Sequence, residues 1–144
     1  MHTAFIHRCL ELAEQGRGAV SPNPLVGCVI VQAGSVLTEG YHKSFGGAHA
    51  ERMALINAGE LAKGATLYVN LEPCCTAGKQ PPCTDTIVSA GIRRVVFGAR
   101  DPSNAGATAV VLPAPGGATR TTLGASASAV NRSGRTAEIG RAHV

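Results

Sequence analysis

The sequence predicts an α/β fold, a three-layer αβα sandwich around a mixed central sheet. Three observations carry that expectation. Leu25 to Val31 is an unbroken apolar run, as a strand covered on both faces requires. Helical and extended patterns alternate after an initial hairpin, which places helices on both faces of one sheet. The chemically distinctive residues, His49, Glu51, Cys74 and Cys83, fall just beyond strands or at helix starts, where open α/β sheets gather their ligand sites.

Each element follows from its residues. From Thr3 to Gln15 apolar residues recur at helical spacing, with Phe5, Cys9 and Ala13 on one line and Ile6 and Leu10 beside it; Gly16 and Gly18 end the helix. After the Leu25 to Val31 strand, Ala33-Gly34-Ser35 turns the chain and Val36 to His42 returns as a neighbouring strand. Gly46-Gly47 leads into a helix from His49 to Ala58, stopped by Gly59. Thr66 to Leu71 is a third strand, Cys83 to Ala90 a helix closed by Gly91, and Arg94 to Ala99 a fourth strand. Cys9 and Cys28 lie on apolar faces and read as small core residues.

Composition bounds the function classes. A chain of 144 residues holds one domain at most, with 44% apolar and 15% charged residues. The apolar run is too short to span a bilayer, and Glu11 and Glu14 interrupt the N-terminal stretch where a signal peptide would need its apolar core. A cytoplasmic location and no membrane partner are expected. The net charge of +4 is unevenly placed. Residues 1–104 hold nine Lys/Arg against eight Asp/Glu, and residues 105–144 hold four Arg against Glu138. With only five Phe and Tyr residues and a near-neutral folded part, no nucleic-acid partner is expected.

The character changes after Asn104. Residues 105–137 are mostly Ala, Gly, Thr, Ser, Arg and Pro, and Pro113-Ala114-Pro115-Gly116-Gly117 breaks any element. The last seven residues, Glu138 to Val144, back-translate as GAG ATC GGA AGA GCA CAC GTC, which matches a common sequencing adapter. Residues 1–104 are therefore expected to form the domain. Residues 105–144 are expected to be a disordered low-complexity tail, frameshifted or adapter-derived.

His49-Ala50-Glu51, Pro73-Cys74 and Pro82-Cys83 carry the chemistry. One imidazole and two thiolates suit tetrahedral Zn2+ and leave its fourth position open to water. Glu51, two positions beyond His49, points away from it on a helix and suits a neighbour of the metal that moves protons rather than a fourth ligand. A lone His-x-Glu or Pro-Cys means little. In this order, each opening a helix after a strand, they form the signature of zinc deaminases. Cys75 competes with Cys74 on paper, but the residue directly after Pro73 holds the ligand position. Glu72 reads equally well as a partner of the site or as structural.

A wider set of motifs narrows the resemblance. Ser21-Pro22-Asn23-Pro24, Val26-Gly27-Cys28-Val29-Ile30-Val31, Gly46-Gly47-Ala48-His49-Ala50-Glu51, Leu71-Glu72-Pro73-Cys74, Gly78-Lys79, Pro81-Pro82-Cys83, Ala90-Gly91-Ile92 and Asp101-Pro102 resemble the riboflavin-biosynthesis deaminases, over residues 2–104. Eight residues separate Cys74 from Cys83, where most nucleobase deaminases place two. The resemblance implies a cytidine deaminase-like fold and removal of the exocyclic 2-amine from a diaminopyrimidine ribotide phosphate, a small-molecule partner. It also implies His49, Cys74 and Cys83 as zinc ligands, Glu51 as the catalytic proton shuttle, and Asn23, His42, Lys79 and Asp101 as substrate contacts. By their chemistry Asn23 and Asp101 can bond a heterocycle edge or ribose, and His42 and Lys79 a phosphate.

The family self-associates and commonly carries a fused reductase, so a homo-oligomer is expected of an intact domain, while no reductase is legible here. The family's C-terminal helix and last strand are not legible either. Thr76, Gln80 and Ser103 depart from its usual residues. The competing readings are a zinc deaminase of a base, nucleoside or RNA, a structural zinc module, and an inactive fragment. A closed structural site normally takes four protein ligands and leaves Glu51 unexplained.

Overall fold

The computed structural model describes residues 2–74, 82–99, 127–130 and 136–141. Helix α1 spans His2–Glu14, strands β1 and β2 span Gly27–Gln32 and Ser35–Tyr41, and helix α2 spans Ala50–Ala58. A 3-10 turn at Gly59–Ala62 leads to β3, Thr66–Leu71; α3 is Cys83–Ser89 and β4 is Arg94–Ala99. Strands β5, Ala127–Val130, and β6, Thr136–Arg141, follow. The sheet order is β2-β1-β3-β4-β6-β5. β1 is antiparallel to both β2 and β3, and β3, β4 and β6 run parallel.

Alternation along β1 builds both halves of the core. Cys28 and Ile30 face α2 and α3, in a cluster with Ala50, Ala54, Leu67, Val69, Ile87 and Val95. Val29 and Val31 face α1, with Ile6, Cys9, Leu12, Tyr68 and Val96. This side-to-side period of two makes β1 a continuous apolar run, because both of its faces are covered. Cys9 and Cys28 are fully buried, as expected of core cysteines. Arg8 forks onto Glu39 at 2.7 and 2.9 Å, tying α1 to β2 at the surface.

The hairpin turns on Ala33 and Gly34, both with positive φ (50° and 78°), which is the two-residue turn whose twist matches antiparallel strands. Gly40 matters for a different reason. A Cβ there would lie 2.6 Å from the Ala50 carbonyl oxygen and 2.8 Å from the Ala54 amide nitrogen, so α2 rests directly on β2 backbone. Gly40→Ala is expected to cost about 1–3 kcal/mol, the usual penalty of overpacking, read by urea denaturation.

The four strands β2-β1-β3-β4 and both helical layers match the sequence expectation, with element ends moved by one or two residues. The expectation that no last strand follows β4 is corrected. β6 pairs in parallel with β4 from Arg94↔Glu138 to Phe97↔Arg141, and β5 pairs with β6. The physical reason is that an open strand edge presents unpaired N–H and C=O groups, which a segment with no apolar period can satisfy through backbone alone. Residues 100–126 and 131–135 lie outside the described residues, and so does the question of a C-terminal helix. Among the described residues no helix is long and apolar enough to cross a membrane.

Candidate zinc centre and pocket

Two helix starts bring the centre together. His49 is the residue preceding α2, in extended conformation (φ −67°, ψ 159°), so its side chain leaves the helix axis while Glu51 turns inward from the first turn. Cys83 is the first residue of α3, behind Pro82. Cys74 lies three residues beyond the end of β3 and is held against that helix start: the Cys83 amide donates to its Sγ at 3.3 Å, and the Thr84 amide to its carbonyl at 3.2 Å. Arg52 on α2 reaches Thr86 on α3 at 3.4 Å, linking the two helices beside the site.

His49 Nδ1 lies 3.1 Å from Cys83 Sγ and 3.8 Å from Cys74 Sγ. The three ligand atoms fall within 4.8 Å of one another. Tetrahedral zinc with ordinary Zn–N and Zn–S bonds holds such atoms roughly 3.6–3.8 Å apart. The donor set therefore fits the ion in number, type and spacing, and zinc is the metal of this site.

The electrostatics fit as well. Hydrogen bonding from Cys83 pulls the Cys74 thiol well below its usual pKa, with help from His49. Cys83 is pushed up by sharing that bond and by burial, so without metal the pair holds one proton between them. A divalent cation resolves this by taking both sulfurs as thiolates. Glu51 is only 4% exposed and its Oε2 lies 3.9 Å from Cys83 Sγ. Burial pushes its carboxyl up to about 7, into the range where one group both accepts and returns protons near neutrality. Glu51 stands outside the ligand trio, as its spacing from His49 predicts.

Beside the trio opens a cavity of about 210 Å³. Its walls include Asn23, Pro24 and Val26 on one side and Leu71 and Glu72 on another, with His42, His49 and Glu51 also facing it. His42 is buried, and both of its nitrogens are engaged. Nδ1 faces the Ala48 carbonyl at 3.0 Å and must donate to it, which leaves Nε2 as the acceptor for Asn23 Nδ2 at 3.1 Å. His42 thus fixes how Asn23 presents its amide, and a direct phosphate contact by His42 would require that bond to open.

Of the sequence-derived site residues, the structure brings together His49, Glu51, Cys74, Cys83, Asn23 and His42. Lys79 and Asp101 lie outside the described residues, as do Cys75, Thr76, Gln80 and Ser103. Sequence reasoning missed Pro24, Val26 and Leu71 as pocket walls, and it left Glu72 undecided. The readable signal was their position at the mouth of β1 and at the carboxyl end of β3.

Three convergent soft ligands, an open side and a buried carboxylate define a zinc-dependent deaminase. The cytidine and deoxycytidylate deaminase zinc-binding region matches residues 1–99, and the chain belongs to that family, in its riboflavin-biosynthesis branch. The diaminohydroxyphosphoribosylamino-pyrimidine deaminase of Buchnera aphidicola is 48% identical over 99 residues, which are 69% of this chain and 67% of that protein. The riboflavin biosynthesis protein RibD of Escherichia coli is 52% identical over 99 residues, 69% of this chain and 27% of that one. A crystal structure of the Thermotoga maritima deaminase/reductase superposes with a TM-score of 0.67 at 52% identity, covering 70% of this chain and 30% of that one. The chain spans about a quarter of the length of the RibD relatives it matches.

Proposed function

We propose that the chain hydrolyses the exocyclic 2-amine of 2,5-diamino-6-(5-phosphoribosylamino)pyrimidin-4-one, a cyclic amidine, to release ammonia. One observation carries the reading: a buried carboxylate with a raised pKa stands beside the His49–Cys74–Cys83 trio at the wall of a ring-sized cavity. The similarity to riboflavin-pathway deaminases then selects the substrate among zinc deaminases, and the eight-residue spacing between the two cysteines supports that choice.

His49 Nδ1, Cys74 Sγ and Cys83 Sγ would hold the zinc. When bound, the metal supplies Lewis-acid charge that lowers the pKa of a water in its open position from about 15.7 towards about 7. Glu51 takes the proton of the attacking water. It then delivers a proton to the amine nitrogen, so that the C–N bond breaks, ammonia leaves and the ring carbon becomes a carbonyl. Asn23, fixed by His42, bonds the edge of the ring. Lys79 and Asp101 are proposed to hold the phosphate and the ribose or ring edge, by the resemblance of Gly78-Lys79 and Asp101-Pro102 to the family. Residues 1–104 are proposed as the deaminase unit, acting in the cytoplasm and self-associating when intact. The pairing of β6 with β4 is backbone chemistry and suits a native or a foreign origin of residues 105–144 equally. Resequencing the locus decides that origin, since an in-frame stop just after Val144 with no adapter match would exclude the foreign one.

The functional test is ammonia release from the pyrimidine ribotide, run beside cytidine and guanine. Turnover of the ribotide alone is expected. Activity on either competitor without activity on the ribotide would overturn the substrate assignment.

A further inference from the structure

We propose that Asn70 is a positioning residue that sets the distance between the two walls of the substrate pocket. On β3 it stands between Val69 and Leu71 in an otherwise apolar stretch, and asparagine is disfavoured in strands. A local rule broken in this way calls for a compensating contact. The contact is present twice. The Gly27 amide donates to Asn70 Oδ1 at 2.8 Å, and Asn70 Nδ2 donates to the Leu25 carbonyl at 3.0 Å.

The location gives these bonds their meaning. Backbone pairing of β1 with β3 ends at Cys28↔Val69, so Gly27 and Asn70 stand where the next pair would form. There the side chain of Asn70 replaces the ladder, offering one acceptor and one donor to a segment that is leaving the sheet. That segment runs into Val26, Pro24 and Asn23, one wall of the cavity. Asn70 itself is followed by Leu71 and Glu72, from the other wall. The Val26 carbonyl accepts from the His42 amide at 3.0 Å, so each backbone group that would otherwise let the wall drift is held from β3 or from His42. One amide side chain bolts the two walls together at a point that touches neither zinc ligand nor carboxylate.

The proposal rests on the deaminase reading only for the substrate used. Asn70→Asp keeps the acceptor for Gly27 but sets a carboxylate against the Leu25 carbonyl; Asn70→Leu removes both bonds at similar volume. In both variants KM should rise by about tenfold or more, the scale of one or two lost hydrogen bonds, with kcat within about threefold and zinc content unchanged. KM is read on whichever pyrimidine or nucleoside the unsubstituted chain deaminates. Amide hydrogen exchange, followed by NMR, is independent of activity. In the unsubstituted chain Gly27 should be protected like Cys28, and in the variants Gly27 alone should speed up while Cys28 and Val69 keep their protection. Fast exchange at Gly27 in the unsubstituted chain would overturn the proposal even if no variant folds. So would equal losses in kcat and kcat/KM, or freed Gly27 exchange with KM unmoved. A chain that deaminates no substrate sinks the functional reading, while the exchange measurement still judges Asn70.

Discussion

Glu51→Gln is expected to keep zinc at about one ion per chain and to lose turnover by about 10²–10⁴-fold, the share of rate that a positioned acid–base group supplies. The amide matches the carboxyl in shape, so the surrounding core of α2 and β1 has no void to close. It also carries no charge. Since burial already raises the Glu51 pKa, replacing a buried ionisable group by a neutral one should not destabilise the fold. What the amide lacks is a proton that it can accept and return. Ammonia release and metal content measured on the same sample separate the two roles. A structural zinc module would show no change beyond stability, and a variant of undiminished activity would remove Glu51 from the mechanism.

Cys83→Ser should lose both metal and activity. Its sulfur is one of three ligand atoms, sits 4% exposed within the α2–α3 half of the core, and lies 3.1 Å from His49 Nδ1. Serine keeps the volume but offers a hydroxyl of far weaker affinity for zinc than a thiolate. Zinc that binds only the folded chain stabilises it by about 2.7 kcal/mol at a free concentration one hundred times Kd. Chelation should therefore lower the Tm of the unsubstituted chain and leave that of Cys83→Ser unchanged. Cys9→Ser is the control. Cys9 is buried under α1 on the opposite face of the sheet, and burial pushes its thiol up to about 12, so it should keep its zinc. If Cys83→Ser retained full metal, the ligand trio would be wrong.

How far the sequence carried these expectations depends on the range of the interactions. The unbroken run at β1 and the helical spacing of Ile6, Cys9 and Ala13 are local patterns, and the elements they predict are present. The zinc trio was legible because Pro-Cys and His-x-Glu each mark a helix start, and helix starts in this topology converge. The contacts that shape the pocket are not local. The bonds of Asn70 to Gly27 and Leu25 span more than forty residues, and the orientation of Asn23 depends on a histidine nineteen residues away. A lone asparagine in a strand announces that some contact exists without saying with what. β6 was missed for another reason: its pairing with β4 is backbone chemistry, which leaves little mark on side-chain pattern.

The central claim is hydrolysis at the His49–Cys74–Cys83 centre, and the origin of the new carbonyl oxygen tests it most directly. The zinc-loaded chain is incubated with the pyrimidine ribotide in oxygen-18 water, and the product is weighed by mass spectrometry beside the ammonia released. The account predicts one labelled oxygen for each ammonia, with both lost when zinc is stripped and both restored when it is returned. Ammonia release that survives zinc removal, or a product without label, would contradict it.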